Sequence, residues 1–141
     1  ERDFYGWISH HVALLQQRRF SEIDVEVLID ELDSMAKRDR RELTNRLMVL
    51  IAHLLKWQFQ PTMRSGSWRG SIREQRIQIL DQLQDSLSLK NVLPTSIEKA
   101  YPKAVELAVD ETGLSQQGFP RFSPYTTEQI LDQGFFPEDQ Q

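Results

Sequence analysis

The side chains able to do chemistry are few: His10, His11 and His53, the acids around Glu31, and a basic, tryptophan-bearing stretch from His53 to Arg76. No cysteine is present, which excludes thiolate catalysis, thiolate metal sites and disulfides. His10 and His11 are adjacent, so on a helix their side chains point about 100° apart. His53 belongs to another helix, and Glu42 lies about three turns from it, too far to share a ligand. With neither an HExxH nor an ExxH pair, the imidazoles read as solvated or hydrogen-bonded side chains; no metal site and no cofactor is expected. His53 borders an apolar stripe beside Trp57 and is the candidate polar site.

Arg76 projects between Ile72 and Leu83, inside an apolar stripe where an unpaired guanidinium would be costly. That placement predicts a buried ion pair with an acid of the second helix. Glu31 is the first candidate, because it flanks the apolar stripe there while Asp30 and Asp33 face outward. Breaking one partner of such a pair costs about 3–5 kcal/mol. An enzyme would instead need Glu31, His53 and Arg76 in one enclosed pocket. Nucleophilic catalysis has no support, since neither Ser65 nor Ser67 stands in a GxSxG elbow.

Lys56, Arg64, Arg69 and Arg73, with Trp57 and Trp68 nearby, have the composition of a phosphate or nucleic-acid surface. Both tryptophans, however, fall on the core faces of their helices, where the pattern has them packing on one another. A structural or partner-docking surface is therefore the main reading of the four basic residues, with anion or nucleic-acid binding as the alternative. There is no helix-turn-helix signature and no glycine-rich phosphate cradle.

The elements that must position these groups are helical. A first helix is predicted from Phe4 to Arg18 with Asp3 as N-cap, since Phe4, Trp7, Ile8, His11, Leu14 and Leu15 share a face. Ser21 or Asp24 starts a second, whose stripe is Val25, Leu28, Ile29, Leu32, Met35 and Ala36. The apolar signal lapses at Lys37–Arg41, where a bend is expected. A third helix, Asp39–Gln60, is apolar around most of its circumference, with Glu42, Arg46, His53, Lys56 and Gln60 as its polar strip; it reads as the central helix. Pro61 ends it, Ser65-Gly66-Ser67 turns the chain, and a fourth helix, Trp68–Asp85, completes an antiparallel hairpin. A fifth helical region spans 88–112, with Pro94 suited to a first turn, Pro102 expected to kink or split it, and Gly113 to stop it. Residues 114–122 read as loop. Thr126 with Gln129 makes a capping box, Tyr125 with Ile130 a hydrophobic staple, and Phe135 and Phe136 anchor the end. The expectation is one all-α domain over 1–141, a compact bundle of five to six helices around a central hairpin.

The net charge of −4 hides an asymmetry: residues 1–36 carry −5, residues 37–76 carry +7 and residues 77–141 carry −6. A basic middle between acidic ends reads either as an anion-binding face or as segments docking on each other. The apolar runs are too short to span a bilayer, and no signal-peptide pattern opens the chain at Glu1-Arg2-Asp3. No membrane insertion and a cytoplasmic setting are expected.

The segment His53-Leu54-Leu55-Lys56-Trp57-Gln58-Phe59-Gln60-Pro61, followed by Arg64, Ser67-Trp68-Arg69, Ile72 and Gln75-Arg76, resembles the bacterial domain-of-unknown-function family number twenty-nine. Asp3-Phe4-Tyr5-Gly6-Trp7, Asp24 to Leu32, Glu111-Thr112-Gly113-Leu114 and Pro124-Tyr125-Thr126 extend the likeness over essentially the whole chain. The resemblance implies a helical fold of a kind common in photosynthetic bacteria, and no activity, since none is assigned to the family. Pro102 departs from its pattern, in a region expected to be continuous helix. The functional expectation is a non-enzymatic interaction or scaffold domain with a protein partner or with itself. Nucleic-acid or phosphate binding is the alternative, and an enzyme the second alternative.

Overall fold

The computed structural model describes residues 3–138. Its helices are α1 (Phe4–Gln16), α2 (Val25–Phe59), α3 (Gly66–Asp85), α4 (Leu93–Thr112) and α5 (Thr127–Leu131), joined by short 3-10 turns; no strand occurs among the described residues. The fold is all-α. Residues 1–2 and 139–141, the ends of the expected 1–141 domain, lie outside the described residues. The chain forms two compact units, the first ending at Arg38 and the second beginning at Asp39.

In the first unit the Asp3 carboxylate caps α1, accepting from the Gly6 N–H at 2.9 Å. The His11 Nδ1 meets the Trp7 carbonyl at 2.9 Å, and the two rings stack at 4.2 Å. α1 stops at Gln16, short of Arg18, which takes a left-handed φ of 57°. A 3-10 turn, with Arg19 paired to Glu22, leads to Asp24, whose carboxylate accepts from the Val27 N–H at 3.2 Å and starts α2. The apolar stripe of this first part of α2 is not a core face. Val25, Ile29, Leu32 and Met35 are 57%, 50%, 57% and 44% exposed.

α2 runs through Lys37–Arg41 without a break, where the lapse in apolar residues had suggested a bend. Lysine and arginine are good helix formers and the stretch holds no glycine or proline, so the lapse marks exposure and not an end.

In the second unit the remainder of α2 is central, as its pattern requires. Leu43, Leu47, Leu50, Ile51, Ala52, Leu54 and Leu55 are fully buried, joined by Ile72 and Ile79 of α3 and by Ala100, Ala104 and Ala108 of α4. α2 and α3 form the antiparallel hairpin. The Arg46 Nη1 donates to the Gln78 carbonyl at 3.1 Å, the Gln82 Nε2 to Asp39, and Arg64 to the Trp57 carbonyl, one residue number falling as the other rises. Ser65 caps α3, its hydroxyl accepting from the Trp68 N–H, so the helix begins at Gly66. α4 is one helix across Pro102. The carbonyl that Pro102 cannot satisfy belongs to Glu98, and both residues are exposed, where water can serve the acceptor. Pro94 occupies the first turn, and Gly113 closes α4 at φ 75° with its N–H on the Val109 carbonyl. The capping box of Thr126 and Gln129 starts α5.

Candidate functional site

The basic stretch is organised at the turn between α2 and α3. The last carbonyls of α2 have no partner inside the helix. The Arg64 Nε donates to one of them, that of Trp57, at 2.8 Å, and this hydrogen bond lays the guanidinium over the Trp57 ring, 4.8 Å from its centre. Arg69, near the start of α3, reaches the same ring at 5.1 Å and the ring of Phe136 at 4.7 Å. Phe136 comes back from the end of the chain to pack on Trp57 at 4.8 Å. Arg76 lies 5.8 Å from the centre of Phe136. Three guanidiniums therefore surround two aromatic rings. Each such contact contributes about 0.5–2 kcal/mol, the more so where water is excluded.

Arg76 is fully buried, as its place in the stripe predicts. Its Nε donates to the Ile130 carbonyl at 2.7 Å and its Nη2 to the Gln129 carbonyl at 3.1 Å. These belong to the last turn of α5, where the helix dipole is negative; the Gln129 carbonyl also accepts from the Asp132 N–H at 3.3 Å. Burial pushes the guanidinium below its ordinary pKa, with the nearby Asp132 acting the other way. Arg76 thus fastens α5 to α3. Glu31, the acid the sequence proposes for it, is buried and belongs to the first unit.

A second group joins α2, α3 and α4. Lys56 is buried, unlike the solvated residue its polar strip suggests. Its Nζ donates to Glu111 Oε1 at 2.9 Å and stands 4.9 Å from the centre of the Trp68 ring. The long methylene stem lets the residue line apolar surface while the ammonium finds a carboxylate. Trp57 and Trp68 therefore take different partners, Phe136 for one and Lys56 for the other, and hold the hairpin through them. One turn before Lys56, the half-buried His53 sets its Nδ1 2.9 Å from the Val49 carbonyl. Burial pushes its pKa below 6.5 and the Lys56 charge adds to that, while the Val49 carbonyl and Glu111 oppose it.

Of the basic strip, Arg69 and Arg73 are exposed, Arg64 is half-buried and Lys56 is inside. Arg69 and Arg73 have no carboxylate partner among the described residues. Among the described residues no three His, Asp or Glu side chains are grouped to hold a metal ion. Two cavities of about 570 and 510 Å³ open on the second unit, one beside Leu80, Leu87 and Leu131, the other beside Tyr101, Phe119 and Arg121. Neither is lined by His53, Arg76 or the basic strip. The sequence missed Phe136 as the ring shared by two arginines, and Glu111 as the partner of Lys56. The Gln129 and Ile130 carbonyls carry no side-chain signal that could have revealed them.

Fold and site together define an all-helical chain in which Lys56, Arg64, Arg69 and Arg76 are engaged by its own rings, carbonyls and a carboxylate. The model of the domain of unknown function DUF29 matches residues 1–136, and the chain belongs to that family. No curated protein and no solved structure matches it. No helix among the described residues is long and apolar enough to cross a membrane.

Proposed function

We propose that this chain is a non-enzymatic intracellular interaction module, a single domain, whose docking face is the apolar stripe of the first unit. One observation carries the reading: Val25, Ile29, Leu32 and Met35, at helical spacing on α2, stay about half exposed. A contiguous apolar face left in water is costly for a soluble chain and commonly marks a partner site. The match of one family model to residues 1–136 supports treating both units as one domain. The test is Leu32→Asp. Unchanged thermal stability with loss of binding to a hydrophobic dye is the expected result; a drop as large as that of a core substitution would make the stripe core and end the reading.

A second reading, anion binding by Arg64, Arg69 and Arg73, is favoured by the exposure of Arg69 and Arg73, which have no carboxylate partner among the described residues. Lys56 adds little to it, being buried on Glu111. Retention on heparin that falls with salt supports it, and no retention at low salt removes it. The Glu31–Arg76 pair is also a proposal, supported by the burial of both side chains; unchanged stability in Glu31→Gln sinks it.

A further inference from the structure

We propose that the docking face of the first unit takes a second copy of this chain, laid antiparallel along the first turns of α2. The inference rests on reading that stripe as a docking face, and it names the occupant. The order of charges along the helix carries it. Residues 25–33 hold four acids and no base, and residues 34–38 hold two bases and no acid. With Leu32 taken as the centre of the seam, Asp33, Glu26 and Lys37 fall about 100°, 120° and 140° to one side of it. That flank therefore reads acid, acid, base in chain order.

Parallel pairing of two such helices sets like charge beside like. In antiparallel pairing each flank faces its own copy in reverse, so Glu26 of one chain meets Lys37 of the other, twice, about a two-fold axis. Matching Glu26 to Lys37 puts that axis between Glu31 and Leu32, half a residue from the centre of the seam. Leu32 then meets its own copy, and Ile29 meets Met35. The two Glu26–Lys37 matches and the apolar seam agree on this register to within half a residue, while Asp33 falls close to its own copy and subtracts from the gain. A contact of these few turns is small, so the association is expected to be weak and dependent on concentration.

The cysteine-free chain permits a direct test. In the antiparallel pair the two copies of Leu32→Cys face each other across the axis. The two copies of Val25→Cys stand about 20 Å apart, beyond the ~7 Å that a disulfide bridges. Mild oxidation is expected to give a covalent dimer from Leu32→Cys and none from Val25→Cys. The wild-type mass should rise toward twice the monomer with concentration in light scattering. Glu26→Lys should weaken the dimer about fivefold, from two exposed pairs, and adding Lys37→Glu should restore it. Cross-linking at both positions overturns the antiparallel register. A wild type that stays monomeric at high concentration, or dimerises without cross-linking at position 32, overturns the proposal. In either case a stable Leu32→Asp that no longer binds dye leaves the docking face standing with another partner.

Discussion

α2 is one helix with two fates. Its first turns, up to Arg38, leave Val25, Ile29, Leu32 and Met35 half in water, whereas from Leu43 to Leu55 its leucines and isoleucines are fully buried. The second part even takes a lysine inside, and the arginine-bearing helix beside it buries Arg76. Both parts show helical spacing of apolar residues. What separates them is supply of neighbours: the second has α3, α4, α5 and the terminal aromatics to fill the space around it. Periodicity says which residues share a face. It does not say that anything covers the face.

The sharpest way to break this contrast is to make the same change on both parts. Leu47→Ala should cost about 2–5 kcal/mol, because a fully buried leucine leaves a cavity. Leu32→Ala, measured by denaturant at a concentration low enough for single chains, should stay within about 0.5 kcal/mol. Equal losses at the two positions would show that the stripe is core after all. Next in size is Arg76→Met, which keeps the volume but removes the charged donor from two carbonyls of α5, of which Gln129 keeps the Asp132 N–H. A loss of about 2–4 kcal/mol is expected from two hydrogen bonds to a charged donor, with the amides of residues 127–136 losing protection from hydrogen exchange first. A variant as stable as wild type would mean that α5 does not depend on the arginine.

Much of the second unit was legible in the sequence. The central helix, the hairpin, the capping box, the glycine stop and the inward turn of Arg76 all follow from local rules of spacing and capping. Side-chain pairing was less legible. Lys56 reads as solvated because its neighbours in sequence are polar at helical spacing; only Glu111, far along the chain, makes burial tolerable. The partners of Arg76 are main-chain carbonyls, which any sequence supplies and none advertises. The exposed stripe reads as core for the same reason, since a sequence gives the face but not its covering.

A smaller effect tests the buried cation on α2. Glu111→Gln leaves Lys56 inside with a neutral acceptor in place of a carboxylate. Glu111 is 44% exposed, so solvent screens much of the attraction, and a loss of about 1 kcal/mol is expected in urea unfolding. Lys56→Met should recover part of it when added to Glu111→Gln, because the charge that needs the carboxylate is gone. If the double variant is less stable than Glu111→Gln, the ammonium is held by something other than Glu111.

The smallest expected effect is a pH dependence from His53. His11 and His53 make the same bond, each Nδ1 2.9 Å from the carbonyl four residues earlier, but His53 stands in the packed part of α2. Burial holds its folded pKa below 6.5. In the unfolded chain the imidazole titrates near 6.5, so below that pH the unfolded state takes up the proton first and gains relative to the folded one. Stability should therefore fall as pH drops from about 6.5 toward the depressed folded value, with no contribution from this residue above 6.5. Carboxylates add their own pH dependence, so the comparison must be made against His53→Asn, unfolded in urea at matched pH on both sides of that range. The wild type should lose more stability than the variant on acidification. Equal losses would mean that His53 is no better shielded in the folded chain than in the unfolded one, and the packed half of α2 would be looser at its Lys56 end than its neighbours imply.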